Sequence, residues 1–162
     1  MNLQEVYKQA IESKLCPEWQ GRMRADLSLK NLCKMYFDGD DWSMENDFPK
    51  VGTLRKFRGQ SEVYGIFTDY KGMPNNLTRA AFFGSSDVKL NYNGFSVSQL
   101  VIRHDTKAKI TATENAILVV NLLDNAEADI NCIENAKVTV FQYGGNIKSA
   151  GDVRITKTSF KK

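Results

Sequence analysis

Glu114-Asn115-Ala116 recurs twenty residues later as Glu134-Asn135-Ala136, and the apolar residues around it recur at the same interval. A fixed period of about twenty, made of short strands and turns, is the mark of a stacked β-solenoid. Laid out at that period, Val88, Leu90 and Tyr92 align with Ala108, Ile110 and Ala112, and these with Ala128, Ile130 and Cys132. A second strand per turn aligns Ala80 and Phe82 with Leu100 and Ile102, then Val120 and Leu122, then Val140 and Gln142. Within each set the side chains alternate, so one face of each strand points inward and equivalent residues stack.

Between the stacked residues lie Lys107, Lys109 and Thr111, then Glu127, Asp129 and Asn131, which makes the outward face polar. Asn115 and Asn135 occupy one turn position, where amides can hydrogen-bond along a stack. Twenty residues earlier that position is Phe95. Past Gly144-Gly145 the repeat contracts, with Ile147 seventeen residues after Ile130 and Val153 fifteen after Val138. A smaller final coil ending in Ser159-Phe160-Lys161-Lys162 is expected to close the open end, as a solenoid requires. The eighteen-residue hexapeptide rhythm of left-handed β-helices is absent, so the coil expected is right-handed, like a parallel β-helix, or irregular. The alternative is an antiparallel β-sandwich or jelly roll, which short alternating strands also permit.

The first sixty residues read differently. Leu3, Val6, Tyr7, Ala10, Ile11 and Leu15 follow the spacing of an amphipathic helix that Pro17 ends. Pro17 can open a second helix carrying Trp19 and Met23, and Ser28 can cap a third carrying Leu29, Leu32, Cys33 and Tyr36. Asp38-Gly39-Asp40-Asp41-Trp42 and Asp47-Phe48-Pro49 follow as turn-rich connections, then a short helix through Leu54 and Phe57 that ends near Gly59. Trp42, Phe48 and Phe57 are spaced like aromatics that seal a small domain against a neighbour. The fold class is therefore α+β: a helical cap or docking module over 1–60 and a β-solenoid over 61–162.

Composition narrows the function classes. The net charge is +3; residues 1–75 hold eleven basic and eleven acidic side chains, and residues 76–162 hold eleven and eight. The excess thus sits on the solenoid, but Lys157, Lys161 and Lys162 supply much of it, and no continuous phosphate-binding stripe is evident. Nucleic-acid binding is disfavoured. No apolar stretch reaches the length of a membrane span, and the Met1-Asn2-Leu3-Gln4-Glu5 start lacks the regions of a signal peptide, so a cytoplasmic protein is expected. Cys16, Cys33 and Cys132 form no Cys-x-x-Cys pair and read as reduced, packed thiols.

Candidate chemistry is sparse. His104, the only histidine, lies in Arg103-His104-Asp105 at a strand end, and reads as a turn residue rather than a catalytic base, since no nucleophile elbow or reactive cysteine accompanies it. Asp38, Asp40, Asp41, Glu45 and Asp47 form the densest acidic cluster. The Ca²⁺-loop pattern fails there, because Trp42 falls where oxygen is needed and Ser43 where Gly is needed, so a helix-capping loop is favoured. Outward carboxylates of Asp87, Asp105, Glu127 and Asp129 are the ones a glycan-hydrolysing enzyme would use. Gly144-Gly145 and Gly151-Asp152 read as turns, and Asn76-Leu77-Thr78 matches a glycosylation sequon. No catalytic residues, cofactor, metal ligands or defined binding residues are assigned.

Tyr7-Lys8-Gln9-Ala10-Ile11, Leu15-Cys16-Pro17-Glu18-Trp19, Asn46-Asp47-Phe48-Pro49 and Leu100-Val101-Ile102-Arg103-His104-Asp105, leading into alternating short strands, resemble uncharacterised proteins of phages and prophages of gut bacteria. The resemblance implies a virus-related accessory or structural role, in the bacterial host cell or associated with a virion. With that, the expectation is a non-enzymatic assembly or binding module that presents a rigid solenoid surface to a protein partner or to copies of itself, as a homo-oligomer. A carbohydrate-active enzyme and a phage antagonist of a host factor are the alternatives.

Overall fold

A computed structural model describes residues 2–74 and 76–160. The chain divides into two compact units, 1–66 and 67–162, with the division six residues beyond the boundary expected from sequence. The difference is a short 3-10 helix, Glu62–Tyr64, which belongs to the first unit. The Ser61 hydroxyl donates to the Ile66 carbonyl at 2.8 Å across this turn and ties the segment together.

Among its described residues the first unit holds five α-helices besides that turn: α1 (Leu3–Glu12), α2 (Pro17–Ala25), α3 (Leu29–Asp38), α4 (Asp40–Glu45) and α5 (Val51–Arg55). The start signals act as their chemistry suggests. The Asn2 side chain accepts from the Gln4 N–H at 3.1 Å, the Ser28 hydroxyl accepts from Asn31 N–H at 3.1 Å, and Pro17 occupies the first turn of α2. The acidic stretch expected to be connecting loop instead forms α4, with Asp40 and Asp41 in its first turn, where carboxylates oppose the helix dipole favourably. Val6, Ala10, Leu15, Met23, Met35, Phe48 and Phe57 form the unit's core. Trp42, partly buried, packs on that core too, its ring 5.1 Å from Phe48.

The second unit is a β-solenoid of parallel strands. The odd strands β1 (Ile66–Thr68, its first residue at the division), β3 (Arg79–Phe83), β5 (Val97–Ile102), β7 (Ile117–Leu122), β9 (Lys137–Gln142) and β11 (Val153–Lys157) make one sheet in that order. The even strands β2 (Lys71–Gly72), β4 (Asp87–Tyr92), β6 (Lys107–Ala112), β8 (Glu127–Cys132) and β10 (Asn146–Ala150) make the other. The register is the one the period dictates: Leu90 pairs with Ile110 and Ile110 with Ile130, while Leu100 pairs with Val120 and Val120 with Val140. Parallel pairing throughout these ladders excludes the antiparallel sandwich. The two inward faces share one buried core, and each buried aliphatic in it contributes about 1.5 to 3 kcal/mol.

The turns repeat at half the coil. Gly94, His104, Glu114, Asp124 and Glu134, ten residues apart, all adopt φ between 57° and 61°. Two residues after each stands a small side chain: Ser96, Thr106, Ala116, Ala126 and Ala136. The N–H of Ala116 donates to Thr113 O at 3.2 Å and that of Ala126 to Leu123 O at 3.2 Å, closing the turn. A larger side chain there would not fit the narrow end of the core, where Ala116 and Ala126 are fully buried.

The contraction near the C-terminus comes in two steps. One residue is lost at Gly144-Gly145, so that Ile147 pairs with Ala128 rather than following Ile130, and Ser149 faces Ile130. Four more are lost at Gly151, which sets Val153 against Val138. The final coil therefore narrows, and among the described residues its inward layer stays partly open. Phe160 stacks on Tyr143 with ring centroids 4.3 Å apart, and Ile155, on the inward side of β11, stays 39% exposed. Lys161 and Lys162, the rest of the expected cap, lie outside the described residues.

Candidate functional site

The turn that carries the only histidine is built for holding coils together. Asp124, one coil beyond, accepts on Oδ2 from the backbone N–H of His104 at 3.0 Å and from Arg103 Nε at 3.0 Å. His104 Nδ1 in turn accepts from the Gly84 N–H at 3.0 Å, one coil earlier. The same device recurs where a Glu114 carboxylate oxygen accepts from the Gly94 N–H and the Asp69 Oδ1 accepts from Ser85 N–H at 2.8 Å. Turn amides that bend out of the strand ladder thus find side-chain acceptors on an adjacent coil. The amide ladder expected at Asn115 and Asn135 is displaced by one residue, to the carboxylate and imidazole at the positive-φ position.

Arg103 is 3% exposed and sits against the Asp124 carboxylate. Its charge is accommodated by that pair, and His104 uses Nδ1 as an acceptor for structure, with its ring 5.9 Å from Phe83. Asp105 is exposed, and its N–H donates to Gly84 O at 3.0 Å. The three residues form a coil-to-coil clamp. Replacing His104 by alanine removes the acceptor of the Gly84 N–H and leaves at φ 59° a side chain that makes no local hydrogen bond. The expected cost is about 1 to 2 kcal/mol, read as a lower midpoint in urea unfolding.

The outward carboxylates of the even sheet are interleaved with lysines. Asp87, Lys107, Glu127 and Asn146 form one row across the strands, and Lys89, Lys109, Asp129 and Lys148 the next. Asp87, Glu127 and Asp129 are all exposed, and strands of one sheet lie about 4.8 Å apart, so each carboxylate has a lysine as its lateral neighbour. A glycosidase acid needs a carboxyl kept protonated by an apolar, buried setting. No such setting surrounds these three.

In the helical unit, the acidic residues fall to separate tasks. Asp38 takes Lys34 one turn back and Arg22 at 3.8 Å, and Asp47 lies 4.0 Å from Lys50. Among the described residues no group of three His, Cys, Asp or Glu side chains gathers as a metal site requires. Among them, too, no helix is long and apolar enough to cross a membrane. In the sequon, the Asn76 amide is engaged, donating to Asn93 Oδ1 at 2.9 Å while its own oxygen accepts from Asn93 N–H at 3.1 Å.

The three thiols separate cleanly. Cys16 is exposed, whereas Cys33 and Cys132 are buried. Burial pushes the Cys33 thiol up to about 12 and also raises that of Cys132, whose Sγ lies 3.1 Å from the Ala136 carbonyl. Thiolate is the reactive form. Alkylation of the native protein at neutral pH should modify Cys16 rapidly and leave the other two intact until unfolding; mass spectrometry showing two or three fast additions would contradict the packing.

A further open feature, among the described residues, is the C-terminal end of the solenoid. β10 and β11 are the last strands of their sheets, so among the described residues neither has a neighbour on its far side. Thr158 N–H donates to Gln142 O at 3.0 Å, and alternation along β11 turns the N–H groups of Lys157 and Ile155 to the free side. Side chains at the edge are largely exposed, with Lys148, Arg154 and Lys157 among them.

Compared with protein-family models, curated proteins and solved structures, this chain matches none. The residues that matter most here, β10, β11 and the ten-residue turn clamp, escape a search for chemical motifs. The clamp had a signal in the sequence, a small residue every ten positions from Ser86 to Ala136.

Proposed function

We propose that this chain is a non-enzymatic assembly module that associates through the open C-terminal end of its solenoid, first of all with a second copy of itself. One observation carries the reading: among the described residues both sheets end there in strands with unpaired backbone groups, above an inward layer that holds Ile147, Ser149, Val153 and Ile155 and is only partly covered. An exposed strand edge is a template for pairing with another chain, and a twofold axis at that end would join two copies edge to edge. Lys148, Arg154 and Lys157 blunt the edge, so the copies meet with like charges. Association should therefore strengthen as salt screens them. The resemblance to phage and prophage proteins supports an accessory or structural part in a virus-related assembly, which the neighbouring genes would test.

Light scattering during size exclusion tests the association. The wild-type chain is expected to gain mass with concentration and with salt between about 0.05 and 0.5 M, over which the Debye length shortens severalfold. Lys157→Pro removes a donor that faces the free side and leaves the β9 ladder intact, so it should give a folded monomer. A wild-type protein that remains monomeric throughout, or a Lys157→Pro variant that associates as well as the wild type, would contradict the proposal.

A further inference from the structure

The helical unit contains a cavity of about 380 Å³, within the range of about 300 to 1,000 Å³ usual for small-molecule sites. Trp19, Leu32 and Trp42 line it, and each is only partly buried, presenting apolar surface to open space. Phe48 and Phe57 form deeper wall, from the buried core.

The aromatic walls are held in place. The Arg22 guanidinium lies 4.4 Å over the Trp19 ring, and a β-carbon on Gly39 would come within 3.3 Å of the outer edge of the same indole, so one face and one edge of the ring are held. Trp42 is fixed by its tilted contact with Phe48. A preformed apolar site loses little entropy in ordering when it binds. The charges lining the cavity have one dominant sign. Asp38, Asp40 and Asp41, from the junction of α3 and α4, line it with Lys14 as the single basic residue. Asp38 is already engaged by Lys34, whereas Asp41 is exposed on the first turn of α4.

We infer that this cavity binds an apolar small molecule that carries a cationic group, the body against the two indoles and the charge toward Asp41. Complementary charge in the lining selects the sign of the ligand, and the apolar walls supply the affinity. The inference does not rest on the association proposed for the solenoid.

The two tryptophans of the chain are Trp19 and Trp42, and both line this cavity, so emission excited selectively from tryptophan, apart from the six tyrosines, reports on its walls. Octylamine, octanol and octanoate, which share one chain length and differ in head group, serve as probes below their micelle concentrations. The expected result is a saturable one-to-one change in emission with octylamine at least tenfold tighter than octanoate, with octanol between them. Octylamine should also slow alkylation of Cys16, which lines the cavity and is exposed. Asp41→Asn, checked for folding by circular dichroism, should lower octylamine affinity severalfold and leave octanol unchanged. Octanoate binding as tightly as octylamine, an Asp41→Asn effect equal for all three probes, or no saturable change with any probe would overturn the inference.

Discussion

Ile130→Lys and Val120→Asp are expected to unfold the solenoid outright, whereas Lys109→Ala and Asp129→Ala should leave its stability within about 0.5 kcal/mol of wild type. Ile130 and Val120 lie one on each sheet and point into the shared core, with 1% and 0% exposure. Each loses about 1.5 to 3 kcal/mol of burial, and the incoming charge has no partner in a layer made of Leu90, Ile110, Val140 and Leu100. Together the penalty reaches about 5 kcal/mol or more, comparable to the total stability of an ordinary domain. Lys109 and Asp129 are register partners on the outward face and are exposed to water, where such a pair contributes little. Urea unfolding followed by circular dichroism distinguishes the two groups. Equal effects would mean that the inward and outward assignments are wrong.

Gly151→Val should detach the final coil while the coils before it stay folded. Gly151 has φ 89°, a conformation that costs a residue with a β-carbon about 1 to 3 kcal/mol. The approach is tighter still, since a β-carbon placed there would lie 1.7 Å from the Cys132 carbonyl oxygen. Backbone must move, because the obstacle is not the tip of a flexible side chain. The turn at Gly151 is where four residues are removed from the coil, and Asp152 O accepts from Val138 N–H at 3.1 Å just beyond it. A shift there breaks the register of β11 on β9. Hydrogen exchange should show loss of protection in β10 and β11 with protection retained from β4 to β8, and the newly bared apolar edge at β9 should aggregate at high concentration. Retained protection in β11 would show that the turn is not as tight as the geometry states.

The architecture was legible where physics repeats. Inward residues at a fixed interval, such as Leu90, Ile110 and Ile130, have one explanation, which is stacking, and the register followed from it residue by residue. The start signals at Asn2, Pro17 and Ser28 depend on local chemistry, and the last two could be read the same way. What was not legible depends on distance. α4 was hidden because Asp40-Asp41 near a glycine suits a loop and a helix start equally, and only packing of Trp42 and Met44 decides between them. The contraction at Gly151 was visible as a number, but its division into steps of one and four residues rests on which carbonyl each glycine approaches. The cavity between Trp19 and Trp42 could not be read from sequence at all, since a residue type reports its affinity for an apolar setting and not whether that setting is filled.

The most direct test of the stacked-coil arrangement is a set of methyl contacts measured by NMR on protein labelled at Leu and Ile. Leu90 should show close contacts to Ile110, and Ile110 to Ile130, while Leu90 and Ile130, two coils apart, show none. Absence of the Ile110–Ile130 contact, or a direct Leu90–Ile130 contact, would contradict the winding of this chain.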